Sequence, residues 1–271
     1  MAKKSKKQNN KNYKRESKPL IDSKIKLFIV FVFMALVLNK FISLGPRGKK
    51  LKEYQEKPAI EDKLEKKTKK LGAQLREGEE VLAHPDNILV LVNKDRALPE
   101  DYEPGDLVVP DINFLFEEES PKKYLRQEAA SHMEELFQAA QEAGLELYAS
   151  SGYRAYETQK YVYDSKLKKD GRAEADRLVS RPGHSEHQTG LAMDLTSREI
   201  KFQLDQAFED TKEGKWIKDQ AHKYGFILRY PKEAEAITKY KYEPWHIRYV
   251  GREAAREIYE NGLTLEEYML D

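Results

Sequence analysis

At 271 residues, 35% of them charged, the chain has room for one good-sized domain plus polar sequence outside any core, and its mean hydropathy of −0.80 agrees. It has no cysteine, which excludes a disulfide scaffold, a thiolate nucleophile, a Cys-type zinc site and a lipidated N-terminal cysteine. The net charge of +1 hides an asymmetry: residues 1–26 carry ten Lys/Arg against Glu16 and Asp22, and almost all of the compensating acid lies beyond them.

An apolar run follows the basic arm at once, Leu27 to Leu38, extended past Asn39-Lys40 by Phe41 to Leu44. About 18 residues is near the low end of what spans a bilayer. The run is apolar on every side, unlike a half-buried soluble helix. Lysines before it place the N-terminus in the cytoplasm and the remainder outside the cell. A cleaved signal peptide is the competing reading, disfavoured by the long basic region and the lack of a small-x-small site after the run. The expectation is a single-pass cell-membrane protein: cytoplasmic arm 1–26, transmembrane anchor 27–44, charged stalk 45–83 and an extracellular domain 84–271. The apolar run accounts for the lysines, so no nucleic-acid partner is expected.

Within 84–271, Ile88-Leu-Val-Leu-Val92 reads as a buried strand and Pro99 to Pro110 as a loop. Tyr124, Leu125, Ala129, Met133, Leu136, Phe137 and Ala140 recur at helical spacing over 124–144, with Gly144 as the stop. Leu145 to Ala149 alternates as a strand delivering Ser150-Ser-Gly-Tyr-Arg154 to a turn, and Tyr156 to Lys169 reads as helix. Leu191 to Leu195 alternates, with Ala192 and Asp194 on one face. Trp216 to Tyr224 suits a helix ended by Gly225. Phe226–Tyr230 and Trp245–Val250 read as strands, and Ala254 to Asn261 as a closing helix. Strands mixed irregularly with helices point to an α+β domain.

The chemistry sits in Ser185-Glu-His-Gln-Thr-Gly-Leu-Ala-Met-Asp194 and, some fifty residues on, Glu243-Pro-Trp-His246. Together they offer two imidazoles and a carboxylate able to hold a metal, with a further carboxylate beside the last imidazole. Metal-assisted hydrolysis needs three protein ligands, an open position and a base. Taken singly each residue is weak evidence: His187 could be a solvated loop histidine, His246 a satisfied half-buried one and Arg154 a surface arginine. Pro244 argues that the strand carrying His246 is bulged or begins there, and rules out a helical Glu-x-x-His. His184 lies in an Arg-Pro-Gly loop, and His222 reads as a packing residue.

Ser-x-His-x-x-Gly-x-Ala-x-Asp followed by Glu-x-Trp-His resembles the VanY-type D-alanyl-D-alanine carboxypeptidases, within the zinc peptidases that include lysostaphin and the hedgehog fold. The resemblance runs from about Ile88 to the end. It takes in Ser-Gly-Tyr-Arg154 with Gln159, Tyr224-Gly-Phe-Ile-Leu-Arg-Tyr-Pro231 and Trp245-His-Ile-Arg-Tyr-Val-Gly251. It implies a small antiparallel sheet carrying a zinc site, flanked by helices. It implies His187, Asp194 and His246 as Zn2+ ligands, Glu243 as general base and Arg154 as the group that binds and polarises the scissile carbonyl. Ser185, Gln159 and Tyr230 fall where the family contacts the terminal D-alanine or nearby peptide. Ala155 departs from the pattern, in which a Ser often follows the Arg. The activity implied is hydrolytic removal of a terminal D-alanine from peptidoglycan stem peptides, D,D- ahead of L,D-cleavage. The alternatives are a cross-bridge endopeptidase and a non-catalytic zinc-containing domain that binds the cell wall or a partner.

Overall fold

A computed structural model describes residues 80–269. The arm 1–26, the anchor 27–44 and the stalk up to residue 79 lie outside the described residues. Among the described residues no helix is long and apolar enough to cross a membrane.

The centre is an antiparallel four-stranded sheet. Two small strand pairs precede or flank it: β1 (Glu80–Val81) runs parallel to β2 (Arg96–Ala97), and β3 (Leu107–Val108) antiparallel to β4 (Leu125–Arg126). The main sheet comprises β5 (Leu147–Ser151), β6 (Ala192–Ser197), β7 (Phe226–Leu228) and β8 (His246–Tyr249), in the order β5-β6-β8-β7. This is the expected α+β class with a small antiparallel sheet flanked by helices.

One sheet face packs on helix α1 (Gln127–Glu142), whose Ala129, Ala130, Met133, Leu136, Phe137 and Ala140 are buried at helical spacing. Met193, Leu195 and Ile247 meet this stripe in the main core. Gly144 ends the helix region at φ +74°, and Leu145 N–H donates to the Ala140 carbonyl at 2.9 Å. Helices α2 (Tyr156–Asp170) and α3 (Arg172–Leu178) follow β5, and α4 (Lys212–Gln220) precedes β7. The short α5 (Glu235–Thr238) lies between β7 and β8. After β8, α6 (Arg252–Asn261) and α7 (Leu265–Tyr268) bury Ala254, Ala255, Ile258 and Leu265 against Leu91, Ile227 and Val250 in a second apolar cluster.

The other sheet face carries the polar residues. Strand register sets Ala192 opposite Arg248 and Asp194 opposite His246. Directly opposed residues share a face, and alternation keeps Met193 and Ile247 in the core. All six residues of β6 are buried, so this second face is covered as well.

Several elements differ from the sequence expectation. Ile88–Val92 is not a strand, although Val90, Leu91 and Val92 are buried. The Ile88 and Val90 carbonyls accept from the Arg248 guanidinium at 2.9 and 2.8 Å, taking up backbone groups that a neighbouring strand would otherwise pair. Helix α3 and the four-residue α5 and α7 fall in segments too short or too polar to read by periodicity. Strand β8 starts at His246 because Glu243 to His246 forms a turn, the His246 N–H donating to the Glu243 carbonyl at 3.2 Å.

Candidate active site

Asp194 is presented by the regular strand β6, whereas Arg154 and His187 are delivered by local breaks in regular structure. Strand β5 shifts register between Ala149 and Ser151, setting Ser151 opposite Asp194. Such a bulge re-aims the side chains beyond it. Gly152 then threads a tight gap, where a Cβ would lie 2.5 Å from the Tyr124 carbonyl oxygen and 2.9 Å from Met193 Cε. No larger residue fits there without moving backbone. A 3-10 turn, Glu186–Thr189, carries His187 and ends at Gly190 with φ +66°. The turn docks on the loop after β5 through Arg154 N–H to the His187 carbonyl at 3.1 Å.

The fold brings His187, Asp194 and His246 together, all buried, with one donor atom from each within 4.8 Å of the others. The two imidazole rings stand nearly perpendicular, 84° apart with centroids at 5.0 Å. His187 Nδ1 lies 2.8 Å from the Gly152 carbonyl, which can only accept, so Nδ1 carries the proton and Nε2 presents its lone pair. That lone pair faces Asp194 Oδ2 at 3.4 Å. His246 Nδ1 faces Asp194 Oδ1 at 2.9 Å, while its Nε2 faces Glu186 Oε2 at 3.3 Å. Lone pairs converging on a buried carboxylate repel unless a cation or protons sit between them. The two-nitrogen, one-oxygen donor set fits a divalent zinc ion.

The electrostatics agree. Burial raises the Asp194 carboxyl, but His187 and His246 outweigh it and hold the group well below the ordinary carboxylate range. His187 is lowered, chiefly by burial. Burial would lower His246 too, yet the hydrogen bonds to Asp194 and Glu186 push it up to about 9.

A cavity of about 190 Å³ opens in front of the group, lined in part by Arg154, His187, Tyr230, Glu243 and His246. Glu243 is pushed up to about 7, mainly by burial and then by the Asp194 and Glu186 charges, with His246 and Arg154 opposing. Such a carboxyl takes up and releases a proton near neutral pH. Arg154 donates to Ser151 Oγ at 3.1 Å and to Gln159 Oε1 at 2.9 Å, both neutral, and among the described residues no carboxylate is hydrogen-bonded to it. Tyr230 stacks on His246 with centroids 5.0 Å apart, and Ser185 lines the cavity.

Gln159 also lines the cavity. It is fully buried, and its amide is spent on Arg154 and on the Ser180 carbonyl at 2.6 Å. It braces the arginine from behind. His184 bonds the Asn93 carbonyl at 2.7 Å and stays outside the donor group, while His222 stacks on Tyr259.

Sequence reasoning passed over a second set of residues. Glu186 Oε1 accepts from Arg229 Nε at 2.6 Å and from Arg248 Nη1 at 2.7 Å. Arg229 continues to both carboxylate oxygens of Glu266, at 2.8 and 2.7 Å. Burial raises the Glu186 carboxyl, but the two arginines outweigh it and hold the group far below its usual range. The available signal was one arginine in each of two otherwise apolar strand runs, Phe226–Tyr230 and Trp245–Val250. An arginine on a buried strand needs an acidic partner.

Comparison with known proteins agrees with this geometry. Residues 122–252 match the model of the VanY family, described as D-alanyl-D-alanine carboxypeptidase. The chain is 55% identical over 192 residues to YodJ of Bacillus subtilis (strain 168), covering 71% of this chain and 70% of that protein. It belongs to the VanY family. Among solved structures, that of the LdcB LD-carboxypeptidase is 54% identical with a TM-score of 0.70, covering 72% of this chain and 91% of its own. A mutant VanY D,D-pentapeptidase from a VanB-type resistance cassette, solved with Zn(II), is 35% identical with a TM-score of 0.53. The match covers 67% of this chain and 98% of that one. The segments that match include every residue of the candidate VanY site from Arg154 to His246, within 122–252.

Proposed function

We propose that this VanY-family chain is a zinc-dependent carboxypeptidase that removes a terminal D-alanine from peptidoglycan stem peptides. The observation that carries the reading is the convergence of His187, Asp194 and His246 on one point beside a carboxyl, Glu243, tuned to about 7. A purely structural zinc site has no use for such a carboxyl. A zinc ion held by the three residues supplies Lewis acidity toward a carbonyl oxygen and toward water.

The chain's own groups do the rest. Arg154, hydrogen-bonded to two neutral side chains, offers its guanidinium to the substrate carbonyl, and its hold strengthens as negative charge develops on that oxygen. Ser151 and Gln159 fix its orientation, so little reorganisation is needed when substrate arrives. Glu243 accepts a proton from the attacking water and returns it to the departing amine nitrogen.

The choice between D,D- and L,D-cleavage has an observation on one side. The solved relative that is 54% identical is an LD-carboxypeptidase, whereas the D,D-pentapeptidase is 35% identical. We therefore place L,D-cleavage of tetrapeptide stems ahead of the D,D-cleavage that the motifs alone favour. The N-terminal sequence completes the reading: a basic cytoplasmic arm, an anchor at 27–44 and a stalk would hold the domain outside the membrane, near a polymeric substrate.

Mass spectrometry of tetrapeptide and pentapeptide muropeptides, incubated with the zinc-loaded full-length chain, tests this. Loss of one alanine from the tetrapeptide is the expected result. Loss from the pentapeptide alone reverses the specificity. Intact peptides in both, with zinc bound, would move the reading to a wall-binding domain or a cross-linked substrate.

A further inference from the structure

The two oxygens of Glu186 have separate duties. Oε1 takes both arginines, Arg229 at 2.6 Å and Arg248 at 2.7 Å, and Oε2 is left facing His246 Nε2 at 3.3 Å. The clamp has no rotational slack. Arg229 spends Nη1 and Nη2 on Glu266, from helix α7. Arg248 spends Nη2 on the Ile88 and Val90 carbonyls and Nε on the Tyr249 carbonyl at 3.0 Å. Arg229, Arg248 and Glu186 are all buried, so water does not substitute for any of these bonds.

His246 has an anion at each nitrogen, and a neutral imidazole has only one N–H to give. With the proton on Nδ1, directed at Asp194, the ring no longer offers a donor to the three-residue group. With the proton on Nε2, directed at Glu186, Nδ1 joins His187 Nε2 and Asp194 in presenting lone pairs to one point. Resting on the zinc reading above, we propose that Glu186, held by Arg229 and Arg248, is the positioning residue that assigns Nδ1 of His246 to the metal. In this scheme Glu266 is the far anchor of the clamp. One 3-10 turn then supplies both a ligand, His187, and the group that orients another ligand fifty-nine positions on. It also couples the C-terminal helix and the 88–93 segment, both remote in sequence, to the metal position. Outer carboxylates of this kind typically govern metal affinity by about 10–100-fold.

The test uses full-length protein and zinc alone. Chelator competition should show one tight zinc in the parent, weaker binding by about 10–100-fold in Glu186→Gln, and a smaller loss in Glu266→Gln. Ring ¹⁵N shifts of the zinc-loaded parent should report His246 as protonated on Nε2 and metal-bound through Nδ1, which requires no variant to fold. Glu186→Asp keeps the charge but withdraws it by one methylene, and should also weaken zinc. Lower melting temperatures with unchanged zinc affinity would reduce the network to a structural role and overturn the proposal, as would an Nδ1–H tautomer in the loaded parent. A parent that binds no zinc would instead defeat the zinc reading itself.

Discussion

Two charged regions lie back to back on the polar face of the sheet, and they treat charge in opposite ways. Behind His246, Glu186, Arg229, Arg248 and Glu266 form a buried set of two anions and two cations with every hydrogen-bonding arm of the arginines engaged. In front of it, Arg154 is hydrogen-bonded to the neutral Ser151 and Gln159, and Glu243 is pushed up to about 7 within the cavity. The contrast separates support from reaction. Charges that are fully paired fix geometry, whereas charges left incompletely paired keep their interaction energy for a substrate.

Substitutions on each side should therefore fail differently. Glu243→Gln should lower kcat by about 10²–10⁴-fold while retaining zinc and melting no lower than the parent. Zinc loss in that variant, by metal analysis, would make Glu243 a ligand and collapse the distinction. Arg229→Ala should act mainly on stability, costing about 3–5 kcal/mol by stranding Glu266 without its cation and leaving Glu186 with Arg248 alone. Chemical denaturation reads this directly, and a change well under 1 kcal/mol would mean the network is not the rigid half of the comparison.

A smaller effect is expected at Arg154→Lys. It keeps the charge but loses the fork held by Ser151 and Gln159, and should cost about 10²–10³ in kcat/KM with an unchanged melting temperature. Parity with the parent would show that charge alone suffices there. A further effect is in pH dependence. The Glu243 carboxyl is raised from 4.5 to about 7, so the metal-free folded chain binds a proton there more tightly than the unfolded chain does. Its contribution to stability is fully present below pH 4.5 and is lost as pH rises through about 7. Melting curves of the metal-free chain should show that decline, and Glu243→Gln should flatten it. Activity runs the other way, rising with pH as Glu243 ionises, with zinc moving the limb to lower pH by its positive charge.

Much of this protein could be read from its sequence because the signals were local. The stripe from Ala129 to Ala140 specified a helix, alternation specified β6, and Gly144, Gly190 and Gly225 marked stops where the backbone turns left-handed. The ordered motifs around His187, Asp194, Glu243 and His246 pointed to the candidate site residues and the family, since the residue types needed for metal hydrolysis are few. What sequence left undetermined depends on partners distant along the chain. Ile88–Val92 has the composition of a strand, yet its carbonyls are taken by Arg248, 160 positions away from Ile88. Gln159 lines the cavity as the motif implies, and only the fold shows its amide bonded to Arg154 and to the Ser180 carbonyl. Glu186 looks like a spacer between Ser185 and His187, and only the convergence of β7, β8 and the C-terminal helix makes it the hub of a buried ion network. Local periodicity and turn chemistry determine which elements form and where reactive groups lie along them. The pairing of buried charges is a long-range balance between desolvation and Coulomb attraction, and only the folded chain decides it.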